Sequence, residues 1–123
     1  GKKLLVVDDD ALVLSGTASV LASWGCEVDA ATSREQVEQL LRSGAKWDLI
    51  ISDYQLENDT NGIDVIALVR QHCSKPIPCI LVSGNTTPAI LKLAGTNGHH
   101  LLHKPVKPAK LRSLAVYLLE GAS

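Results

Sequence analysis

Short apolar runs alternate along the chain with longer segments in which apolar residues recur every three or four positions. The short runs are rich in Val, Ile and Leu, which is typical of strands buried on both faces of a parallel sheet. The second run is weakly apolar and the fifth is short. The pattern predicts five strands, at residues 4–7, 27–31, 49–51, 78–82 and 101–103.

The longer segments carry signals for the start and end of helices. Asp10, Ser33 and Asn61 are residue types that cap the first turn of a helix, and Ser33 opens the sequence SREQ, a capping box. Gly25 and Gly44 stand where the first two helices should end. The predicted helices occupy residues 11 to about 23, 34–43, 62 to about 72, 88 to about 97, and 108 onward.

The predicted order is a strand followed by a helix, repeated five times. Such alternation predicts an α/β fold with a parallel sheet and helices on both faces. No linker, repeat or low-complexity tract interrupts the pattern, so residues 1–123 are expected to form one domain. The chain contains no Met, which favours a processed chain or a domain taken from a longer protein.

Composition and charge narrow the classes of partner. The net charge is −1 with His neutral, which gives no electrostatic basis for binding nucleic acid or a membrane surface. No apolar run approaches the roughly 18 residues of a membrane span. The aromatic residues are two Trp and two Tyr, too few for a base-stacking platform. Three cysteines without framework spacing indicate reduced thiols in a cytoplasmic protein.

Chemically active side chains follow four of the five predicted strands. Asp8 and Asp9 follow the first strand, Asp53 the third, Ser83 the fourth and Lys104 the fifth. The carboxyl ends of parallel strands meet at one edge of the sheet, where such folds bind ligands. The carboxylates would repel one another there, and a hard cation with oxygen ligands, such as Mg²⁺, would relieve that repulsion.

The sequences around these strand ends are LLVVDDD, LIISDYQL, CILVSG and HKPV. They resemble the receiver domain of two-component response regulators, and the resemblance covers the whole chain. It implies a flavodoxin-like, doubly wound sheet of five parallel strands in the order 2-1-3-4-5, with five helices. It also implies a cytoplasmic domain whose partner is a histidine kinase or a histidine phosphotransfer domain. A weak dimer through the fourth helix, the fifth strand and the fifth helix is expected as well.

By this resemblance Asp53 is the phosphoacceptor and, together with Asp9, a direct ligand of Mg²⁺. Asp8 acts partly through water, and the backbone carbonyl of Gln55 completes the protein ligands. Asp10 is expected to cap the first helix instead of binding the metal. An ionised carboxylate needs no general base to attack a phosphoryl group that is held in line with it.

The resemblance also assigns Ser83 to one phosphoryl oxygen and Lys104 to another, and it implies a cis peptide bond between Lys104 and Pro105. Ser83 and Leu101 occupy the switch positions of the family. The second of these positions is usually Tyr or Phe, and Leu101 has no ring that could swing inward. We therefore expect phosphorylation to move Ser83 and the loop after it more than the face of the fourth helix and fifth strand.

Three stretches are similar to the receivers of hybrid sensor histidine kinases: DYQLENDTNGIDVI, SGNTTPAILK and LLHKPVKPAKLR. In the first stretch, Asp53 and Gly62 are separated by one position more than in the commonest loop of the family. These matches and the missing Met lead us to expect the C-terminal receiver of a hybrid kinase. A stand-alone, single-domain response regulator is the alternative.

Two other classes of protein use a similar set of residues. A phosphatase of the haloacid dehalogenase type also combines an Asp nucleophile with Ser or Thr, Lys and Mg²⁺, but it places two acids as D-x-D after its first strand. A degenerate receiver used for docking would lack an acid or the Lys, and this chain has them all. A receiver is not expected to turn over substrate beyond its own phosphorylation and dephosphorylation.

Overall fold

The computed structural model describes residues 2–56, 61–73, 77–84, 88, 92, 95 and 100–120. Its strands are β1 Lys3–Val7, β2 Glu27–Ala31, β3 Leu49–Asp53, β4 Cys79–Ser83 and β5 His100–His103. They form one parallel sheet in the order β2-β1-β3-β4-β5. This order confirms the flavodoxin-like, doubly wound architecture that the family resemblance implies.

The position of each strand in the sheet explains the strength of its sequence pattern. β1, β3 and β4 lie in the middle and are buried along almost their whole length. β2 and β5 form the two edges and keep exposed or half-exposed residues. Strand bounds differ from the prediction by at most two residues, and the largest difference is in β3. There the polar residues Ser52 and Asp53 extend the ladder beyond the apolar run.

Four helices cover this sheet within the described residues: α1 Ala11–Ser23, α2 Arg34–Arg42, α3 Gly62–Gln71 and α4 Pro108–Leu119. The helix predicted between β4 and β5 falls largely outside the described residues. Those of its positions that are described, Pro88, Lys92 and Gly95, are helical. In the described part of the chain, no helix combines the length and the apolar character needed to cross a membrane.

Side-chain caps hold the first turns of α1 and α3. The Asp10 carboxylate accepts the N–H groups of Leu12 (3.0 Å) and Val13 (3.3 Å), which confirms its predicted role as a cap. Asn61 Oδ1 accepts the Asp64 N–H at 2.9 Å, and the Asp64 carboxylate accepts the Asn61 N–H at 3.5 Å. α3 therefore begins with a complete capping box, whereas the sequence identified only its Asn61 half.

The capping box predicted at Ser33 forms only in part. Ser33 Oγ accepts the Gln36 N–H at 3.3 Å, as predicted, but the Gln36 side chain accepts the N–H of Thr32 at 2.7 Å. A glutamine side chain can reach one residue beyond the cap, so spacing alone does not fix its donor. Gly25 and Gly44 follow α1 and α2 with φ of +86° and +90°, the left-handed conformation that ends helices.

Apolar side chains of the central strands alternate between the two faces of the sheet. Leu5 and Val7 of β1 pack with residues of α2 and α3, whereas Leu4 and Val6 pack with residues of α1 and α4. All three cysteines are free thiols, as predicted. Because helices cover both faces, a polar ligand approaches the sheet at the ends of its strands.

Two carboxylates away from the carboxyl ends of the strands have protein donors: Asp48, just before β3, and Asp29, in the middle of β2. Asp48 accepts the Lys3 N–H at 2.9 Å. Asp29, in the edge strand β2, accepts the indole N–H of Trp47 at 2.8 Å and lies 3.5 Å from the Lys3 ammonium. These acids are therefore neutralised or hydrogen-bonded locally, and they fasten β1 and β2 to the segment before β3. The acids at the carboxyl ends of the strands are arranged differently.

Candidate functional site

The chemically active residues predicted from sequence lie at the carboxyl ends of the strands. Asp8 and Asp9 follow β1, Asp53 ends β3, Ser83 ends β4 and Lys104 follows β5. In the pairs β1–β3, β3–β4 and β4–β5, the final residues of the two strands lie opposite one another to within one position. The register of the sheet therefore brings these side chains to a single edge.

Three carboxylates crowd together at this edge. Asp8, Asp9 and Asp53 each place a carboxylate oxygen within 4.8 Å of those of the other two. Asp8 and Asp53 are only 6% and 7% exposed, and Asp9 is more accessible to solvent. Like charges at this separation repel, and burial weakens the screening of that repulsion by water.

The environment of Asp8 disfavours its charged form. Burial raises the pKa of the Asp8 carboxyl, and the neighbouring charges of Asp53 and Asp9 raise it further. The Asp10 N–H, which donates to Asp8 Oδ1 at 2.9 Å, and the Lys104 ammonium act in the opposite direction. Burial is the largest of these influences, and the pKa is raised because the charged form of this carboxylate is poorly solvated.

Lys104 supplies positive charge to the cluster. Its ammonium lies 2.8 Å from Asp53 Oδ2 and 4.0 Å from Asp8 Oδ2. Burial acts to lower the pKa of Lys104, but the hydrogen bond to Asp53 and the charges of Asp53, Asp8 and Asp9 outweigh it, so the pKa is raised. The Lys104 backbone N–H donates to the Ser83 carbonyl at 2.8 Å. The peptide bond between Lys104 and Pro105 is cis, as the family resemblance implies.

Backbone and side-chain contacts fix the position of Asp53. Its Oδ1 accepts the Gln55 N–H at 3.3 Å, while Oδ2 accepts the Lys104 ammonium. The next residue, Tyr54, donates its N–H to the Val82 carbonyl at 2.8 Å, which continues the pairing of β3 with β4. Both oxygens of the carboxylate are therefore directed by donors on different elements.

Gly62, the first residue of α3, packs directly under the backbone of Asp53. A Cβ at this position would lie 2.5 Å from the Asp53 carbonyl oxygen, 2.8 Å from Leu81 Cδ2 and 3.0 Å from Ser52 Oγ. The Gly62 N–H donates to the Tyr54 carbonyl at 2.8 Å. The sequence marked Gly62 only as the start of a helix. Its close approach to β3 was missed, because a glycine beside a cap gives no signal of what lies across from it.

The set of donors at this edge fits a hard divalent cation. Asp8, Asp9 and Asp53 offer carboxylate oxygens, which Mg²⁺ prefers, and two of these side chains are buried in advance of binding. Among the described residues, Lys104 alone places a positive charge within salt-bridge distance of Asp8 and Asp53. Three carboxylates facing one ammonium leave an excess of negative charge that a metal ion would neutralise.

The remaining predicted site residues lie around the cluster. Ser83 is 2% exposed at the end of β4. Gln55 follows Asp53 by two residues and pairs with Asn61 in an isolated bridge. Leu101 lies within β5, opposite Leu81, and is half-buried against the core on the side of α2 and α3. Leu101 is thus part of the packing behind the site, not part of its polar edge.

Residues 4–116 match the family model of the response regulator receiver domain. The chain belongs to this family. It is therefore a receiver domain of two-component signal transduction, and this membership sets aside the haloacid dehalogenase alternative. Receiver domains act with histidine kinases or with phosphotransfer domains.

Curated relatives of this receiver domain include sensor kinases and response regulators. The CAI-1 autoinducer sensor kinase/phosphatase CqsS of Vibrio cholerae is 32% identical over 99 residues, which are 79% of this chain and 14% of that protein. The two-component response regulator ARR12 of Arabidopsis thaliana is 29% identical over 116 residues, which are 93% of this chain and 19% of that protein. The chain therefore spans less than a fifth of the length of these two relatives.

Solved receiver structures share the fold along the whole chain. A two-component response regulator from Clostridium difficile superposes with a TM-score of 0.87 at 21% identity, covering 100% of this chain and 99% of that chain. A response regulator receiver protein from Sinorhizobium medicae superposes with a TM-score of 0.84 at 25% identity, covering 100% of this chain and 98% of that chain.

The contact between Gly62 and the Asp53 backbone can be tested by adding one methyl group. We expect Gly62→Ala to lower the free energy of unfolding by about 1–3 kcal/mol, because a Cβ cannot rotate away from the carbonyl oxygen that it overlaps. Gly16→Ala is the matched control, since a Cβ at Gly16 meets nothing within 4 Å. In the middle of α1 it should raise stability by about 0.5–1 kcal/mol. Urea unfolding measures both changes, and equal effects of the two substitutions would contradict the assigned contact.

Proposed function

We propose that this receiver domain accepts a phosphoryl group from a phosphohistidine onto Asp53, with Mg²⁺ held by the neighbouring carboxylates. The observation that carries the proposal is the position of the Lys104 ammonium, 2.8 Å from a buried carboxylate that also belongs to a three-acid cluster. A phosphoryl group on Asp53 would bring its oxygens into an environment that already contains a fixed positive charge and a metal-binding set of oxygens.

The transfer uses Asp53 as the nucleophile. One carboxylate oxygen of Asp53 forms a bond to phosphorus as the bond from phosphorus to the histidine nitrogen breaks, and that nitrogen keeps the electron pair. Bound Mg²⁺ supplies neutralisation of charge on the phosphoryl oxygens. Lys104 provides a second positive charge, and the Ser83 hydroxyl is assigned a hydrogen bond to a phosphoryl oxygen. Since no proton leaves the attacking oxygen, no general base is required.

The proposed metal ligands are Asp9 and Asp53 directly, Asp8 partly through water, and the Gln55 backbone carbonyl. The crowding of the three acids supports the first three assignments. The Gln55 assignment is supported by its place next to Asp53, where its N–H already contacts the carboxylate. Burial raises the pKa of Asp8 in the protein alone, and the charges of Asp53 and Asp9 raise it further. A bound cation would favour the ionised carboxylate.

For the parent protein we infer a hybrid sensor histidine kinase with this domain as its receiver. Two relatives support this context: the sensor kinase/phosphatase CqsS and the hybrid signal transduction histidine kinase L of Dictyostelium discoideum, which is 27% identical over 119 residues. A stand-alone response regulator is the alternative, since response regulators are also among the relatives. The partner would be a histidine kinase or phosphotransfer domain in the cytoplasm. The order of domains in the complete gene distinguishes the two.

A weak dimer through β5, α4 and the helix predicted between β4 and β5 remains part of the proposal. α4 supports it by presenting a large exposed apolar side chain, Tyr117, which is 54% exposed. Such a residue can cover part of a modest homodimer surface, although it contributes no group to the acidic cluster.

Substitution of the nucleophile gives the first test. Asp53→Asn should abolish phosphorylation by acetyl phosphate in the presence of Mg²⁺, because the amide is a poor nucleophile. Asp10→Asn is the control: Asp10 lies beside the cluster, but it caps α1, and Asn caps a helix as well as Asp does. Intact-protein mass spectrometry counts the added phosphoryl group. Undiminished phosphorylation of Asp53→Asn, or its loss in Asp10→Asn, would refute the assignment.

Metal binding should appear as stabilisation of the fold. At a Mg²⁺ concentration about 100 times the dissociation constant, the free energy of unfolding should rise by about 2.7 kcal/mol, because the ion binds the assembled cluster and not the unfolded chain. Asp9→Asn should lose most of this increase, while Asp10→Asn should keep it. Thermal unfolding with Mg²⁺ and with chelator measures the difference. An unchanged melting temperature in the unmodified protein counts against the metal site.

Leu101 generates a prediction about the response to phosphorylation. Leu101 lacks a ring and a hydroxyl, so the two states differ less in buried area and hydrogen bonding at this position than with Tyr. Beryllofluoride, a phosphoryl analogue, should therefore shift the amide resonances of Ser83 and Gly84 strongly and those of β5 weakly. Leu101→Tyr should spread the response into β5. Equally large shifts along β5 in the unmodified protein would show that the domain switches without an aromatic residue.

A further inference from the structure

A cavity of about 430 Å³ adjoins the acidic cluster on the face of the sheet that α1 and α4 cover. Its floor is formed by apolar side chains of the central strands, including Val6, Ile51 and Val82, and Leu111 of α4 also lines it. Well-packed interiors contain few voids larger than a water molecule. A space of this size falls instead within the range of pockets that bind small molecules.

Short side chains account for the open space. Val6, Val13, Thr17, Val82 and Val106 line the cavity from three sides, and each ends in a branch at Cβ. The chain has no Phe and no Met, the residues that most readily fill an irregular gap of this size. The cavity therefore results from the small size of the side chains that line it. It lies next to the site proposed for phosphorylation.

The cavity reaches the surface beside the first turn of α1. Val13 lines it and is 43% exposed, and Thr17, one turn further along α1, is half-buried. On the opposite side the lining includes Pro105 and Val106, which follow Lys104.

One end of the cavity is charged and the rest is apolar. Asp8, Asp53 and Lys104 line the charged end, and Asp9 contributes its carboxylate to the same cluster. In the described part of the chain, Asp8 and Asp53 in the lining and Asp9 beside them outnumber the single ammonium of Lys104. Charge complementarity therefore favours a cationic group over an anionic one. A neutral apolar ligand would fill the floor of the cavity but would leave the acids uncompensated.

We propose that this cavity binds an amphipathic monoamine, with its ammonium group among Asp8, Asp9 and Asp53 and its aryl or alkyl body on the valine-lined floor. The ammonium group occupies the position that suits a divalent cation, so the amine and Mg²⁺ exclude one another. Binding of the amine does not depend on phosphoryl transfer. Its effect on signalling, which is to prevent phosphorylation of Asp53 by excluding the metal, does rest on the proposed function.

The first experiment compares three probes on the metal-free protein: 6-phenylhexylamine, 6-phenylhexanoate and hexylamine. Isothermal titration calorimetry gives each affinity, and amide resonances locate the bound probe. We expect 6-phenylhexylamine to bind at least tenfold more tightly than either of the others, because it alone combines the apolar body with the cationic head. Equal binding of the carboxylate, no binding of the amine, or resonance shifts away from α1 and β4 would overturn the proposal.

Competition with metal is the second experiment. With Mg²⁺ at ten times its dissociation constant, the apparent dissociation constant of 6-phenylhexylamine should rise about tenfold, as for two ligands of one site. An affinity that Mg²⁺ leaves unchanged contradicts the shared position of the two cations. Should Asp53 fail to become phosphorylated, these binding results would still stand, so the two proposals fail separately.

Filling the cavity is the third experiment. Thr17→Leu should weaken binding of 6-phenylhexylamine at least tenfold while leaving the Mg²⁺-dependent rise in melting temperature intact. Val20→Leu is the control on the same helix, because Val20 does not line the cavity. If Thr17→Leu fails to fold, Val106→Leu replaces it. Amine binding that survives the filled cavity, or that is lost equally in the control, refutes the assignment.

Discussion

The mutual repulsion of three carboxylates at one end of the sheet is the constraint on which the rest of this structure depends. Asp8 and Asp53 are buried, so water screens their charges poorly, and among the described residues Lys104 alone does not balance them. Three features hold the acids in place despite the repulsion: the register of the central strands, the Asp10 N–H donated to Asp8, and the close approach of Gly62 to β3. A cation bound among them would lower the energetic cost of holding them together and so stabilise the folded domain.

Acidic residues at the carboxyl ends of the strands differ from two acids elsewhere in the sheet region. Asp29, in the middle of β2, and Asp48, just before β3, accept hydrogen bonds from Trp47 and Lys3 and join neighbouring segments. At the carboxyl ends, the acids are left with unmet negative charge. This polarity agrees with the general behaviour of doubly wound folds, in which ligands bind outside the carboxyl ends of the strands. Membership of the receiver family places this uncompensated charge in a domain of two-component signal transduction.

The parts of the fold and site that follow from short-range pattern were predictable. Buried strands made continuous apolar runs, and the side chains directly after them converged because parallel strands end at the same edge. Strand order was available only through the family resemblance, because helical crossovers permit several orders. Contacts between segments far apart in the sequence could not be predicted from local pattern. The close approach of Gly62 to Asp53 depends on how α3 packs against β3. The cavity depends on the sizes of side chains from α1, β4 and the segment after Lys104. The predicted contact of the Gln36 side chain with the Ser33 N–H was wrong by one residue, because the side chain accepts the Thr32 N–H instead. A flexible side chain can reach several nearby donors, and the local sequence does not determine which one it contacts.

The bridge between Gln55 and Asn61 has a consequence for how such domains diversify. Both ends of this connection are anchored: Gln55 to the Asp53 carboxylate, and Gly62, which follows Asn61, to the Tyr54 carbonyl. Substitutions between the two anchors should therefore change the surface beside Asp53 more than the position of its carboxylate. The spacing from Asp53 to Gly62, one position longer than in the commonest family loop, includes this interval. A receiver domain can in this way vary the surface next to its acidic cluster while the cluster itself keeps its geometry.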